Sequence, residues 1–498
     1  MVKHLSRRQF LRTSAAFAAC TAIGANINCG KVGVGKPMTR TLGRTGYQVT
    51  TLGLGGQASL QWTPSDVDPV NIIIKAINQG INYLDTSNVY GSSQANYGKA
   101  FRALGLVPGQ PGYDEAKRHS LHLASKTFLR YAKGGNPQNR GFSEGGPNFL
   151  AVDDLKRSLS LAFGDGKGNY PEGAYIDIFQ IHSLMNMAEV DAIYEGLDKP
   201  DPKAENIGVL AALLDYRDGT NLTGLNPKEE KLIRHIGITG HQSSPVMMEC
   251  LQRDEKEIID TMLIAINAND RRYQNHQYNA IPVAKARNVG MIAMKVFADG
   301  AMYTKEPRWS RTPEDVVRVV GTPELPSRPL VEYALSTPGI GTAIIGTGHI
   351  DRDERKCQLM QNMSAAQIRE DSLSQTDREE IETMAYAARE GQTNYYQDKK
   401  QPLGPPREVK QSIANRNGNR VVRLTWQTAY AADDPIEYYE IRRNDQPAGQ
   451  VRHQPQTTKA PFSFEEPFKE AGPLNYSVVT VDRAGKRSAS EPATEAPA

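Results

Sequence analysis

Four polar residues stand at or just beyond the ends of apolar runs. In GINYLDTSNVYG the run Ile81 to Leu84 stops on Asp85, and Tyr90 follows in a Gly/Ser-rich turn. SLHLASK stops on Lys126, and YIDIFQIH stops on His182. A carboxylate, a phenol, an ammonium and an imidazole on successive strand ends make a proton-transfer set awaiting a substrate. Each has an ordinary alternative when taken alone. Asp85 could cap a helix or bind loop N–H groups. Tyr90 could be packing, Lys126 a solvated strand end and His182 a satisfied histidine. The four together, each at a strand end or in the loop after one, point to chemistry.

The elements that must position them read as follows. From residue 38 onward, short apolar runs alternate with longer helix-like segments. The runs are VTTLGLGG, INYLD, LHLASK, YIDIFQIH, HIGITG, MLIAIN, MIAMK and TAIIG. Near-continuous apolar strands imply burial on both faces, as in a parallel sheet. Eight of them separated by helices predict an α/β fold, a closed (β/α)8 TIM barrel with its site at the C-terminal strand ends. Pro69 to Gln79 and Val152 to Phe163 carry apolar residues at helical spacing. Thr312-Pro313-Glu314 reads as a cap opening a helix over Thr312 to Val320. Tyr131 to Asn148 and Asn186 to Asn206 are longer than a barrel needs. They read either as loops that shape substrate access or as plain surface insertions.

These residues carry a resemblance to the aldo-keto reductases. TRTLGRTGYQVTTLGLGG resembles that family's first hairpin and first strand, and GINYLDTSNVYG resembles its Asp–Tyr motif. Lys126 and His182 fall where its Lys and His stand. The resemblance spans about Met38 to Arg389. It implies reduction of an aldehyde or ketone, sugar-derived ones included, by hydride from NADP (or NAD) in its reduced form. In that chemistry Tyr90 is the proton donor. Lys126 lowers the phenol's pKa and is held by Asp85, and His182 orients the carbonyl oxygen.

The resemblance also assigns a cofactor site without a Rossmann motif, and the sequence has no GxGxxG. Gly55 and Gly56 close the first strand. Thr239 and Gly240 correspond to the family's Ser-Asn pair that holds the carboxamide, and Asn267 to its Gln. Lys295 and Phe297 lie where nicotinamide and pyrophosphate contacts fall. Gly346, Thr347 and Gly348 look like the phosphate-gripping turn, and Arg352 like a selector of a 2′-phosphate.

The remaining sequence sets bounds. With 498 residues, two or three domains are expected. Net charge is only +3 and no long basic block with interleaved aromatics occurs, which argues against nucleic acid as a partner. Cys20, Cys29, Cys250 and Cys357 show no metal-ligand spacing, so no metal is expected. Residues 1–36 read as a leader. SRRQFLR is a twin-arginine pattern and AAFAACTAIGA a moderately apolar run too short to span a membrane. That implies the twin-arginine export machinery as a partner and a periplasmic or extracellular location. The barrel is expected over 37–396 and a Pro-containing linker over 397–406. From 407 to 498 the apolar pattern changes to period two. Trp426, Tyr476 and YSVVTVDRAGKRS there resemble an immunoglobulin-like, fibronectin type III-like sandwich. Two other functions fit the same sequence: a catalytically degenerate barrel that binds a nucleotide or carbonyl ligand, and a carbohydrate-binding protein acting through the C-terminal module.

Overall fold

The computed structural model describes residues 36–495 apart from 274, 304, 393–396, 398–399, 417 and 469–474. The twin-arginine pattern, Cys20 and Cys29 lie outside the described residues. Among the described residues, no helix is long and apolar enough to cross a membrane.

The eight expected runs form β1 (Leu52–Leu54), β2 (Tyr83–Asp85), β3 (His122–Thr127), β4 (Ile176–Ile181), β5 (Ile233–Gly240), β6 (Ile259–Ala265), β7 (Gly290–Met294) and β8 (Ile340–Ile345). They close into one barrel in chain order, with β8 returning parallel to β1. β4 and β6 are buried at every residue, because core side chains fill one face and helices cover the other.

Period two along the strands sorts the interior into layers. Tyr83, Ala124 and Ile178 join Leu263 and Ile292 in an apolar layer. Two residues further along their strands stand Asp85, Lys126 and Gln180, and His182 follows β4. Register pairs Asp85 with Ala124 and Lys126 with Gln180. The polar set is therefore one step above a packed floor. Leu42 and Val49, from the hairpin of Thr39–Thr41 with Gln48–Thr50, pack into that floor from below.

Helices form at Pro69–Asn78, where the Asp68 side chain accepts from Val70 and Asn71 N–H, and at Ala151–Phe163. The helix expected over Thr312 to Val320 does not form. Its capping box is present, but only the turn Pro313–Asp315 follows, and the next helix starts at Ser327. Val316, Val317, Val319 and Val320 are β-branched and propagate a helix poorly. Three of them, Val316, Val317 and Val320, line the cleft at the barrel mouth instead. The start of the first long separator pairs antiparallel with the residues just after the second, Tyr131–Lys133 with Ile207–Gly208.

Beyond the barrel, the strands are β9 (Arg407–Arg416), β10 (Asn419–Gln427), β11 (Ile436–Arg443), β12 (Gln446–Arg452), β13 (Phe462–Pro467), β14 (Tyr476–Asp482), β15 (Arg487–Ala489) and β16 (Thr494–Glu495). They make two four-stranded sheets, β13-β10-β9-β16 and β12-β11-β14-β15. Leu424 and Trp426 of one sheet and Tyr439, Ile441 and Val478 of the other share a single core, as in a β-sandwich. The stretch expected as a linker is tied down. Gln397 donates to Asp270, and Leu403 is buried in the sandwich core. Asn279 and Ala431 exchange two hydrogen bonds, at 2.8 and 3.1 Å, between barrel and sandwich.

Candidate active site

Three strand ends and one loop bring the four residues together. Lys126 Nζ donates to Asp85 Oδ1 at 2.6 Å and to the Thr86 carbonyl at 2.7 Å. Both side chains are closed to solvent. Burial pushes the Asp85 carboxyl above its usual range and the Lys126 ammonium below its own, and their mutual attraction opposes both shifts. The Tyr90 ring lies 4.8 Å from Lys126 Nζ and meets the His182 ring edge-on at 5.6 Å. His182 is held neutral: burial lowers its pKa far below the ordinary value, and the positive charge of Lys126 adds to this.

Local structure fixes these positions. Tyr90 N–H donates to the Ser87 carbonyl at 3.2 Å, closing a turn between β2 and the following helix. Ser87 Oγ lies 3.0 Å from His182 Nδ1. Arg130, buried and paired with Glu189, donates to the carbonyls of His182 and Ser183, both at 2.9 Å. Ser183 has φ 56, a left-handed conformation uncommon for a residue with a side chain. Its N–H donates to Thr239 Oγ1 at 2.7 Å, and its Oγ lies 3.1 Å from His241 Nδ1. The turn after His182 is thus held from three sides. Ser87, Arg130 and His241 were not singled out from the sequence. Ser87 lies inside GINYLDTSNVYG and His241 directly follows HIGITG, so adjacency to a motif was the available signal. Arg130 gave none.

A cleft opens beside Asp85 and Tyr90, lined by Gly55, Gly56, Lys295, Phe297 and Gly346 among others. At Gly56 a Cβ would collide with the Asp85 carbonyl and with Thr86, and at Gly55 it would fall 2.8 Å from Gly346 N. Only glycine lets β1 and the β8 end approach this closely. Lys295 has φ 61, donates to Gln57 Oε1 at 2.8 Å and faces the Trp309 ring at 5.1 Å. Burial lowers its pKa.

The other expected cofactor residues do not line this cleft. The Thr239 hydroxyl oxygen is engaged by Ser183, and the space beside Gly240 is taken by Met247. Asn267 is saturated. Its Oδ1 accepts from the N–H groups of Asn269 and Asp270, and its Nδ2 donates to Asp270 Oδ2 and the Lys295 carbonyl. It serves the turn that leads to Asp270. Thr347 is buried, and Gly348 is pressed against the Arg318 backbone. Arg352 is exposed on the surface.

A model of the aldo/keto reductase family matches residues 51–378. L-Galactose dehydrogenase of Arabidopsis thaliana is 22% identical over 353 residues, covering 68% of this chain and 92% of that protein. Among solved structures, an aldo-keto reductase from Klebsiella pneumoniae in complex with NADPH is 16% identical, with a TM-score of 0.42, covering 73% of this chain and 99% of that one. A Bombyx mori aldo-keto reductase in complex with NADP is 15% identical, with a TM-score of 0.43, covering 70% and 93%. The chain belongs to the aldo/keto reductase family of NAD(P)-dependent oxidoreductases.

Proposed function

We propose that this chain reduces an aldehyde or ketone to the alcohol, with Tyr90 as the proton donor. The observation that carries this is the Lys126–Asp85 pair lying under the Tyr90 ring, with neutral His182 edge-on beside it. A free phenol has a pKa near ~10 and gives up its proton poorly at neutral pH. The ammonium below the ring favours the phenolate, so it draws the proton toward a developing alkoxide. Neutral His182 donates a hydrogen bond to the same oxygen and holds it toward Tyr90. Asp85 keeps Lys126 charged and aimed.

NAD(P)H, when bound, supplies the hydride. Gly55, Gly56, Lys295, Phe297 and Gly346 would hold it. The fit rests on glycines that bring backbone close to the cleft and on a buried ammonium facing it. The cleft encloses about 100 Å³, below the roughly 300–1,000 Å³ of small-molecule and cofactor sites, and we expect its lining at Ser310, Val316, Val317 and Val320 to shift on binding. The L-galactose dehydrogenase relative supports a sugar-derived substrate, on which the same transfer can run in either direction. The twin-arginine pattern supports export to the periplasm or beyond, and the period-two C-terminal strands support a fibronectin type III-like module.

The engaged side chains of Thr239 and Asn267 favour one rival, a barrel that binds the nucleotide without turnover. Titration with NADPH and then NADH, followed by NADPH oxidation in the presence of glyceraldehyde, separates the two. Saturable binding with turnover that collapses in Tyr90→Phe supports the reductase. Binding with no turnover of any carbonyl tried supports the rival.

A further inference from the structure

We propose that Ser87 is a positioning residue that fixes the ring tautomer of His182, so that Nε2 carries the proton and presents it to the substrate oxygen. This rests on the role given to His182 above.

Hydrogen-bond inventory around the Ser87 hydroxyl supports the assignment. His182 is a neutral imidazole, so one ring nitrogen donates and the other accepts. Nδ1 faces Ser87 Oγ at 3.0 Å. The hydroxyl has a single proton and two directions in which to send it. One is His182 Nδ1. The other is the Lys126 carbonyl, at 3.5 Å. That carbonyl is already occupied, because Asn88 donates to it twice, from its backbone N–H at 3.0 Å and from Nδ2 at 3.2 Å. A carbonyl oxygen has two lone pairs, and Asn88 fills both. Ser87 Oγ also accepts from the Val89 N–H at 3.4 Å. The arrangement that satisfies every group has the hydroxyl accepting from Val89 and donating to Nδ1.

The consequence reaches the reaction. With Nδ1 as acceptor, Nε2 bears the ring proton. Among the described residues Nε2 has no hydrogen-bond partner, and it is not among the sealed, unpartnered atoms. It is the nitrogen left for substrate. The opposite tautomer would present a lone pair to the carbonyl oxygen and repel it. Three rings stand beside His182: Tyr90 and Phe128 edge-on at 5.6 and 5.2 Å, and His241 tilted at 6.5 Å with its own Nδ1 on Ser183 Oγ; the hydrogen bond at His182 Nδ1 is the one to Ser87. Ser87 therefore sets the ring's polarity. Asn88 contributes indirectly, by filling the competing acceptor.

The experiment is NMR of the full chain with ¹⁵N-labelled histidine, His182 being assigned by comparison with His182→Gln. The expected wild-type pattern is protonated Nε2 with bare Nδ1. In Ser87→Ala the ring should lose this single state, and kcat with glyceraldehyde should fall roughly tenfold, the value of one hydrogen bond, with NADPH affinity unchanged. Ser87→Thr keeps the hydroxyl and should restore both the pattern and the rate. Protonated Nδ1 in the wild type overturns the proposal whether or not Ser87→Ala folds. So does a Ser87→Ala protein with unchanged tautomer and rate. A protonated Nε2 that is lost in Ser87→Ala, in a chain that turns over no carbonyl, would uphold Ser87's role and defeat the reductase reading, so the two fail separately.

Discussion

Lys126 and Asp85 meet at 2.6 Å where neither side chain reaches water. In the proposed reaction such a pair serves Tyr90 more than it stabilises the fold. Its attraction is offset by the cost of desolvating two charges, and removing one partner strands the other. Lys126→Met should therefore destabilise the fold by roughly 3–5 kcal/mol. The double variant Asp85→Asn/Lys126→Met should recover most of that loss while remaining inactive. Thermal melts of the three proteins beside turnover rates check this. Recovered activity in the double variant would contradict the role given to Lys126.

Arg130 holds two carbonyls of the strained His182–Ser183 turn. Arg130→Lys cannot span both with one ammonium. We expect kcat to fall by about tenfold, the effect of a displaced imidazole, with NADPH affinity unchanged. Steady-state kinetics paired with a binding titration would decide. A change confined to cofactor affinity would place Arg130's influence elsewhere.

Much of this arrangement was legible in the sequence, and the limits are physical. Each barrel strand is a buried apolar run, so the eight stood out, and Asp85, Lys126 and His182 stood out because each interrupts apolar character at a strand end. Thr312 misled because its cap is real while the valines after it serve the cleft. Thr239 accepts from Ser183 and Asn267 is bonded to the turn at Asp270, partners that only tertiary structure reveals. Arg130 acts through backbone carbonyls distant in sequence, and no spacing rule announces that.

Acid should weaken the fold through its buried imidazoles. Burial lowers the pKa of both His276 and His453 to about 4. Below the unfolded value near ~6.5 the unfolded chain takes up protons that the folded chain refuses, so stability falls as pH drops from about 6.5 toward 4. Asp154 works in the opposite sense. Burial raises its pKa to about 6, so it adds stability below ~3.8 that is lost as pH rises through 6. Two histidines outweigh one aspartate, and His182 and His241 are also held well below their ordinary value. Urea midpoints should drop between pH 7 and 5, and Asp154→Asn should steepen the drop. A fold that gains stability on acidification would contradict this.

Cofactor binding should move the cleft roof. Lys295 faces the Trp309 ring at 5.1 Å, and Ser310 is part of the lining. Hydrogen exchange with and without NADPH should change over 309–320, and Trp309→Phe should remove most of any NADPH-induced change in tryptophan fluorescence. Saturable binding with no exchange difference in this segment would place the cofactor elsewhere.

The most direct test is transfer of label from 4-deuterated NADPH to glyceraldehyde, read by mass spectrometry, in the wild type and in Tyr90→Phe. Deuterium should appear on the former carbonyl carbon. With the phenol removed and cofactor affinity retained, transfer should slow by roughly a hundredfold or more, the scale of a lost general acid. Cofactor binding without label transfer, or transfer undiminished in Tyr90→Phe, would contradict the assignment of Tyr90, Lys126, Asp85 and His182 to carbonyl reduction.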